Sequence, residues 1–169
     1  MKVNLLFAIG AAIVLAGCAE SPNRVVLDPV GPEPGTTPKP NAANGTLTVY
    51  SAYQASADFN SRDPHRREYS DYRILRPDGT LEREVHNTSD NILQRPQQVT
   101  LPAGNYRVAA WANGYGLVTV PVVIAGGQDT FVHLEGGFRW PNQDLFNQTN
   151  SVRLPDGEVV GWRDATAMK

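Results

Sequence analysis

From Gly45 onward, apolar and polar side chains trade places at almost every residue, and each short run is closed by proline or glycine. Residues 45–53, GTLTVYSAY, put Leu47 and Val49 on one face and Thr46, Thr48 and Tyr50 on the other. The same period of two recurs in DYRILR, in NYRVAAWA and in LVTVPVVI, and no segment of this region repeats every 3.6 residues. Such a chain cannot build its core from helices. Many short strands with turns between them predict an all-β fold, a single antiparallel β-sandwich. A domain of about 125 residues buries roughly two thirds of its surface on folding, enough for one core without disulfides.

The turns are legible in the same way. Pro77-Asp78-Gly79 joins DYRILR to TLEREVH, and Pro102-Ala103-Gly104 joins QQVTL to NYRVAAWA. Pro121 cannot donate to a ladder, so its strand is expected at a sheet edge or at a bulge. Pro155-Asp156-Gly157 separates SVRL from EVVGW and predicts a C-terminal β-hairpin that docks Val152, Leu154, Val159 or Trp162 on the sandwich. Between the two parts, Phe138, Trp140, Leu145 and Phe146 predict a long ordered loop, because four such side chains are costly to leave in water. The expected domain limits are 45–137 for the sandwich and 138–169 for the loop and hairpin.

The stretch VTLPAGNYRVAAWANGYGLVTVPVVIAGGQDTFVHLEGG resembles the end of a carboxypeptidase regulatory-like, or transthyretin-like, β-sandwich. Leu101, Pro102, Gly104, Tyr106, Val108, Gly114, Tyr115, Val122, Ile124, Gly126 and Leu134 stand at the matching places. The resemblance implies a transthyretin- or immunoglobulin-like architecture, and such sandwiches carry many functions. With the closing SVRLPDGEVVGWR, the chain also resembles lipid-anchored envelope proteins of Gram-negative bacteria, a likeness that names no activity.

Residues 4–16 are nearly all apolar behind Lys2, the pattern of a signal peptide over 1–17. The run is shorter than the roughly 20 residues a bilayer span needs. It ends in Leu15-Ala16-Gly17-Cys18, and Cys18 is the single cysteine of the chain. LAGC resembles the lipobox of bacterial lipoproteins. The resemblance implies a diacylglycerol thioether on Cys18, cleavage before it and acylation of the new amino terminus. Ala19 and Glu20 follow instead of an aspartate, which by the same likeness implies the outer membrane, facing the periplasm or the cell surface. Two or more acyl chains hold a protein stably on its membrane, so membrane lipid is the first expected partner.

Residues 18–44 hold Pro22, Pro29, Pro32, Pro34, Pro38 and Pro40 and read as an extended, flexible linker. Val25, Val26 and Leu27 offer the alternative of an arm docked along the domain as an edge strand. The formal charge of −2 becomes −3 once Lys2 is removed with the signal peptide (−2 − 1 = −3). The only basic cluster, around Arg66 and Arg67, is short and flanked by acids, so nucleic acid is not an expected partner.

Catalytic signatures are sparse. Asp58, Asp63 and His65 share one polar loop, but no HExxH, CxxC, DxDxDG, Walker or G-x-S-x-G pattern occurs. No metal and no cofactor are expected. The hydroxyisourate hydrolases of the transthyretin-like group end in a tyrosine-arginine-glycine-serine tail, whereas this chain ends in DATAMK. Trp111, Tyr115 and Trp140 are the candidate ligand-binding residues, since rings near strand ends and loops stack on sugars or anchor proteins. Packing in the core is the competing reading for Trp111 and Trp162. Asn87-Thr88-Ser89 and Asn147-Gln148-Thr149 match glycosylation sequons, which are incidental in a bacterial lipoprotein. The expected function is a non-enzymatic, lipid-anchored envelope protein whose sandwich is a binding or structural module. Binding of carbohydrate or peptidoglycan through exposed aromatics is the alternative, and a transthyretin-like hydrolase or metal-dependent enzyme is the second alternative.

Overall fold

The longest ladder is a hairpin of β7 (Gly104–Ala112) and β8 (Gly116–Ile124), paired from Gly104↔Ile124 to Ala112↔Gly116. β4 (Tyr72–Leu75) and β5 (Leu81–Val85) extend it into a four-stranded sheet of order β5-β4-β7-β8. A second sheet, β6-β1-β9, is made by β1 (Asn44–Tyr50), β6 (Gln98–Pro102) and β9 (Asp129–His133). Two small pairs complete the fold: β2 (Tyr53–Ala55) with β3 (Arg67–Tyr69), and β10 (Ser151–Arg153) with β11 (Val159–Trp162). The computed structural model describes residues 27–39, 41–55, 67–87, 95–136 and 145–165, and no α-helix occurs among them. The protein is an all-β sandwich.

Its core lies between the two main sheets and follows the alternation of the sequence. Leu47, Val49, Ile74, Val108, Val120 and Val132 are fully buried, and Leu101, Ala110, Val122 and Ile124 nearly so. All ladders are antiparallel except β1–β9, which runs parallel from Thr46↔Asp129 to Tyr50↔His133. These two strands open and close the sandwich, so no hairpin sets their relative direction. β2 and β3 were not expected, because they flank the polar loop that holds Asp58 to His65.

Both PDG turns form in the same way. Gly79 donates its N–H to the Arg76 carbonyl and Gly157 to that of Leu154, each at 2.9 Å, while Asp78 and Asp156 accept from the backbone two residues on. Pro102 to Gly104 is instead a corner that carries the chain from one sheet to the other, clamped by the Tyr106 hydroxyl donating to the Pro102 carbonyl at 3.1 Å. The hairpin β10–β11 docks as expected, with one change of register. Val152, Leu154 and Val160 join the main core, whereas Val159 and Trp162 form a second cluster with Phe146.

β8 is an edge strand, as Pro121 requires. The Pro121 carbonyl accepts a hydrogen bond from Val30 N at 2.9 Å. The N and C=O of one strand residue point to the same side, so the missing donor of Pro121 faces this arm and β7 loses no bond. Val123 N donates to the Val30 carbonyl at 2.8 Å. On the arm's other side Gly31 N donates to Trp162 O at 2.8 Å, and Asp164 N to Pro29 O at 3.0 Å. Further on, Glu33 N donates to Asp129 O at 3.1 Å, and Gln128 Nε2 reaches the carbonyl and hydroxyl of Thr36.

From Leu27 to Thr36, therefore, the proline-rich stretch is not a free linker but docks along the domain, as in the alternative reading, though Val30 makes the bridge to β8 and Val25 and Val26 lie outside the described residues. A handful of apolar positions among the prolines is enough, because the edge of β8 supplies the hydrogen bonds that the arm cannot make for itself. Val30 is completely buried and Leu27 is 7% exposed. Close approach fixes two glycines here: a Cβ on Gly31 would lie 2.7 Å from Asp164 Cα, and one on Gly161 2.5 Å from Val30 Cγ1. Val30→Ala is expected to lower the unfolding free energy by about 2 kcal/mol in urea melts. A chain beginning at Gly45 leaves the β8 edge unpaired and is expected to self-associate in light scattering.

Candidate functional site

The β7–β8 turn brings two of the three candidate ligand residues together. Trp111 and Leu117 are cross-strand partners, and the pleat turns both outward, leaving them 54% and 64% exposed. Tyr115 stands in the connecting turn and is 36% exposed. Gly114 (φ +75°) and Gly116 (φ +107°) flank it in backbone conformations that side chains disfavour, so the tight turn needs glycine at both places.

The base of this tip is held firmly. Trp111 O accepts from Ala52 N at 2.7 Å, Asn113 N donates to Leu134 O at 2.8 Å, and Asn113 Nδ2 donates to Glu135 O at 2.5 Å. Of the two readings of Trp111, core packing fails and exposure stands. Trp162 goes the other way: it is 9% exposed and stacks on Phe146 with ring centroids 3.8 Å apart. Phe146 is thus buried as expected, Leu145 beside it is exposed against expectation, and Phe138 lies outside the described residues. Trp140, Cys18, Asp58, Asp63 and His65 lie outside the described residues. Leu117 was missed, although LVTVPVVI sets it on the outward face with Thr119 and Pro121.

Behind the tip, the end of the sandwich is closed by an aromatic and acidic cluster. His133 is buried and Glu135 partly so, with Nδ1 and Oε1 2.7 Å apart. The Tyr50 ring stacks on the imidazole at 4.3 Å, and Tyr69 meets both Tyr50 and Tyr53 edge-on. Desolvation holds the His133 pKa below its ordinary value, against the opposing pull of Glu135. Burial, with the Glu135 charge beside it, raises the Tyr50 hydroxyl. This arrangement braces β9 against β1 and encloses its ionisable groups.

Asn87 is the other polar centre that sequence reasoning passed over. It is fully buried. Its Nδ2 donates to Val49 O and to Ser51 Oγ, both at 2.9 Å, and its Oδ1 accepts from Gln97 N at 3.0 Å. Its own N–H donates to Asp71 Oδ1 at 3.0 Å. With the amide enclosed, the first sequon is closed to glycosylation in the folded chain. The side chain ties β1 to the approach to β6, and the backbone N–H of the same residue adds the start of β4.

Among the described residues, no group of three or more His, Cys, Asp or Glu side chains is placed to hold a metal ion. No helix among them is long and apolar enough to cross a membrane. Comparison of the chain with protein-family models, curated proteins and solved structures finds no match.

Asn87→Ala takes one partner from the Ser51 hydroxyl and one each from two backbone groups, the Val49 carbonyl and the Gln97 N–H, and is expected to cost about 3 kcal/mol of stability in urea melts. Histidine titration gives a second expectation. The unfolded chain protonates His133 near 6.5 and the folded chain only at lower pH, so its contribution is complete above 6.5 and lost as pH falls below it. The exposed His86, paired with Asp71 at 2.8 Å, has a raised pKa and acts in the opposite sense, its contribution fading as pH rises through that value. The His133 contribution should therefore fall away as pH drops from 7 to about 5, and His133→Gln should remove that part of the pH dependence in melts across the range.

Proposed function

We propose that the protein is a non-enzymatic, lipid-anchored component of the bacterial cell envelope, with its β-sandwich acting as a binding module. The observation that carries this reading is the tip of the β7–β8 hairpin. A tryptophan, a tyrosine and a leucine project from a braced turn, where they add little to the core and are presented to a partner. Exposed apolar clusters on a rigid frame mark surfaces of contact.

The anchor is proposed from LAGC: the Cys18 thiol becomes a thioether to diacylglycerol, and the mature chain starts at that residue. Ala19 and Glu20 support the outer membrane as its site. The likeness to transthyretin-like sandwiches belongs to the same proposal, and with it a role in binding. His133 and Glu135, the closest pair of ionisable groups at this end of the molecule, are read as a brace and not as a catalytic dyad.

Expressed in a Gram-negative host, the wild-type chain is expected in the membrane fraction, with an intact mass that fits acylated Cys18 and lacks residues 1–17. Cys18→Ala should remain uncleaved and carry no lipid. A soluble wild-type protein with an unmodified thiol would defeat the anchoring.

A further inference from the structure

We infer that the tip formed by Trp111, Tyr115 and Leu117 docks into the lipid–water interface of the membrane that carries the chain's own anchor. The inference rests on the proposed acylation of Cys18. Three observations lead to it.

The first is direction. Val30 pairs with Val122 in parallel, so the arm traced backward from Val30 runs toward the start of β8 at Gly116. At about 3.3 Å per residue, Leu27 stands roughly 10 Å closer to the β7–β8 turn than Val30 does. The arm thus enters the domain from the end that carries the tip. The second is reach. Residues 19–26 are all that separate Leu27 from Cys18, and the nine steps between those two residues extend at most about 30 Å. With the arm docked, the sandwich cannot stand far from the lipid, and the end nearest the anchor faces it.

The third is chemistry. No Asp, Glu, Lys or Arg occurs from Val108 to Gln128, so the hairpin itself brings no charged side chain into an interface. Tryptophan and tyrosine rings settle at the headgroup level of bilayers, and a leucine beside them reaches the acyl boundary. A glycan stacks on ring faces but gains little from an exposed aliphatic side chain. Leu117, the most exposed of the three, favours lipid over sugar.

In the acylated protein the Cys18 sulfur is a thioether, so a new cysteine is the only free thiol. Full-length Leu117→Cys and Asn105→Cys are purified in detergent, labelled with a polarity-sensitive fluorophore and returned to phosphatidylcholine–phosphatidylglycerol vesicles that contain brominated lipid. Asn105 is exposed on the same strand pair, about 20 Å from Trp111 toward the far end. The Leu117 probe is expected to be blue-shifted and quenched severalfold more than the Asn105 probe, and Trp111→Ser in the Leu117→Cys background should weaken that quenching. Equal quenching of the two probes, or none at either on vesicle-bound acylated protein, overturns the docking and leaves the anchor standing. Protection of the Leu117 probe only on adding peptidoglycan overturns it too and assigns the tip to a glycan. A wild-type chain with an unmodified Cys18 mass removes the anchor, and this inference with it.

Discussion

The sandwich depends on how its open edge at β8 is closed. A strand edge exposes a row of unpaired N–H and C=O groups that invites pairing with other chains. Here Val30 occupies that edge, giving its N–H to Pro121 and its carbonyl to Val123, while its neighbours bond to β11 on the other side. One fully buried valine is thereby the meeting point of the first described segment, the middle of the chain and the last strand. The C-terminal hairpin meets the sandwich through the backbone of this arm as well as through β9. Pro121, which would break a ladder elsewhere, is harmless because its carbonyl is the single group the arm needs at that residue.

The strands of the sandwich were legible because each carries its own evidence. Alternation in LVTVPVVI fixes which face of β8 is buried without reference to any other part of the chain, and PDG specifies its turn within three residues. The arm was less legible for a physical reason. Its composition is that of a chain that cannot fold alone, which is true of it in isolation; it becomes ordered by borrowing the hydrogen bonds of a distant edge. Val30 among Pro29, Gly31 and Pro32 has no period to betray it. β2 and β3 were missed likewise, since three-residue strands hold too little pattern to rise above the polar loop they flank.

Polar centres were the least visible. Asn87 looks like any loop asparagine in sequence, yet its partners lie at Val49, Ser51, Asp71 and Gln97, separated from it by ten to thirty-eight positions. His133 sits on a strand where the period of two would turn it away from Val132, and it is buried by the Tyr50 ring from the neighbouring strand. Single-sequence patterns report which residues flee water and say nothing of which polar groups find each other. The candidate site shows the same division. Trp111 and Tyr115 were found by type and by their place near a turn, whereas whether Trp111 packs or projects depended on a neighbour covering its face, and none among the described residues does so.

Closure of the edge and the proposed attachment to the membrane fall on the same few residues. In the proposed anchoring, any pull between the sandwich and the lipid passes through residues 18–26 into Leu27, Pro29 and Val30. Asp28 pairs with Arg163 at 2.8 Å, so the load is shared with β11 as well as β8. The bonds to β8 lie side by side along a parallel pair and resist a pull along the strand together, as a shear, instead of opening one after another. A free tether of twenty-seven residues would let the domain sample any orientation; a docked arm leaves about nine and fixes where they leave the surface. In the proposed anchoring, the edge cap therefore also sets the height of the domain and the end it turns toward the bilayer. Loosening Val30 would both unprotect an aggregation-prone edge and free the hairpin tip to swing away from the lipid.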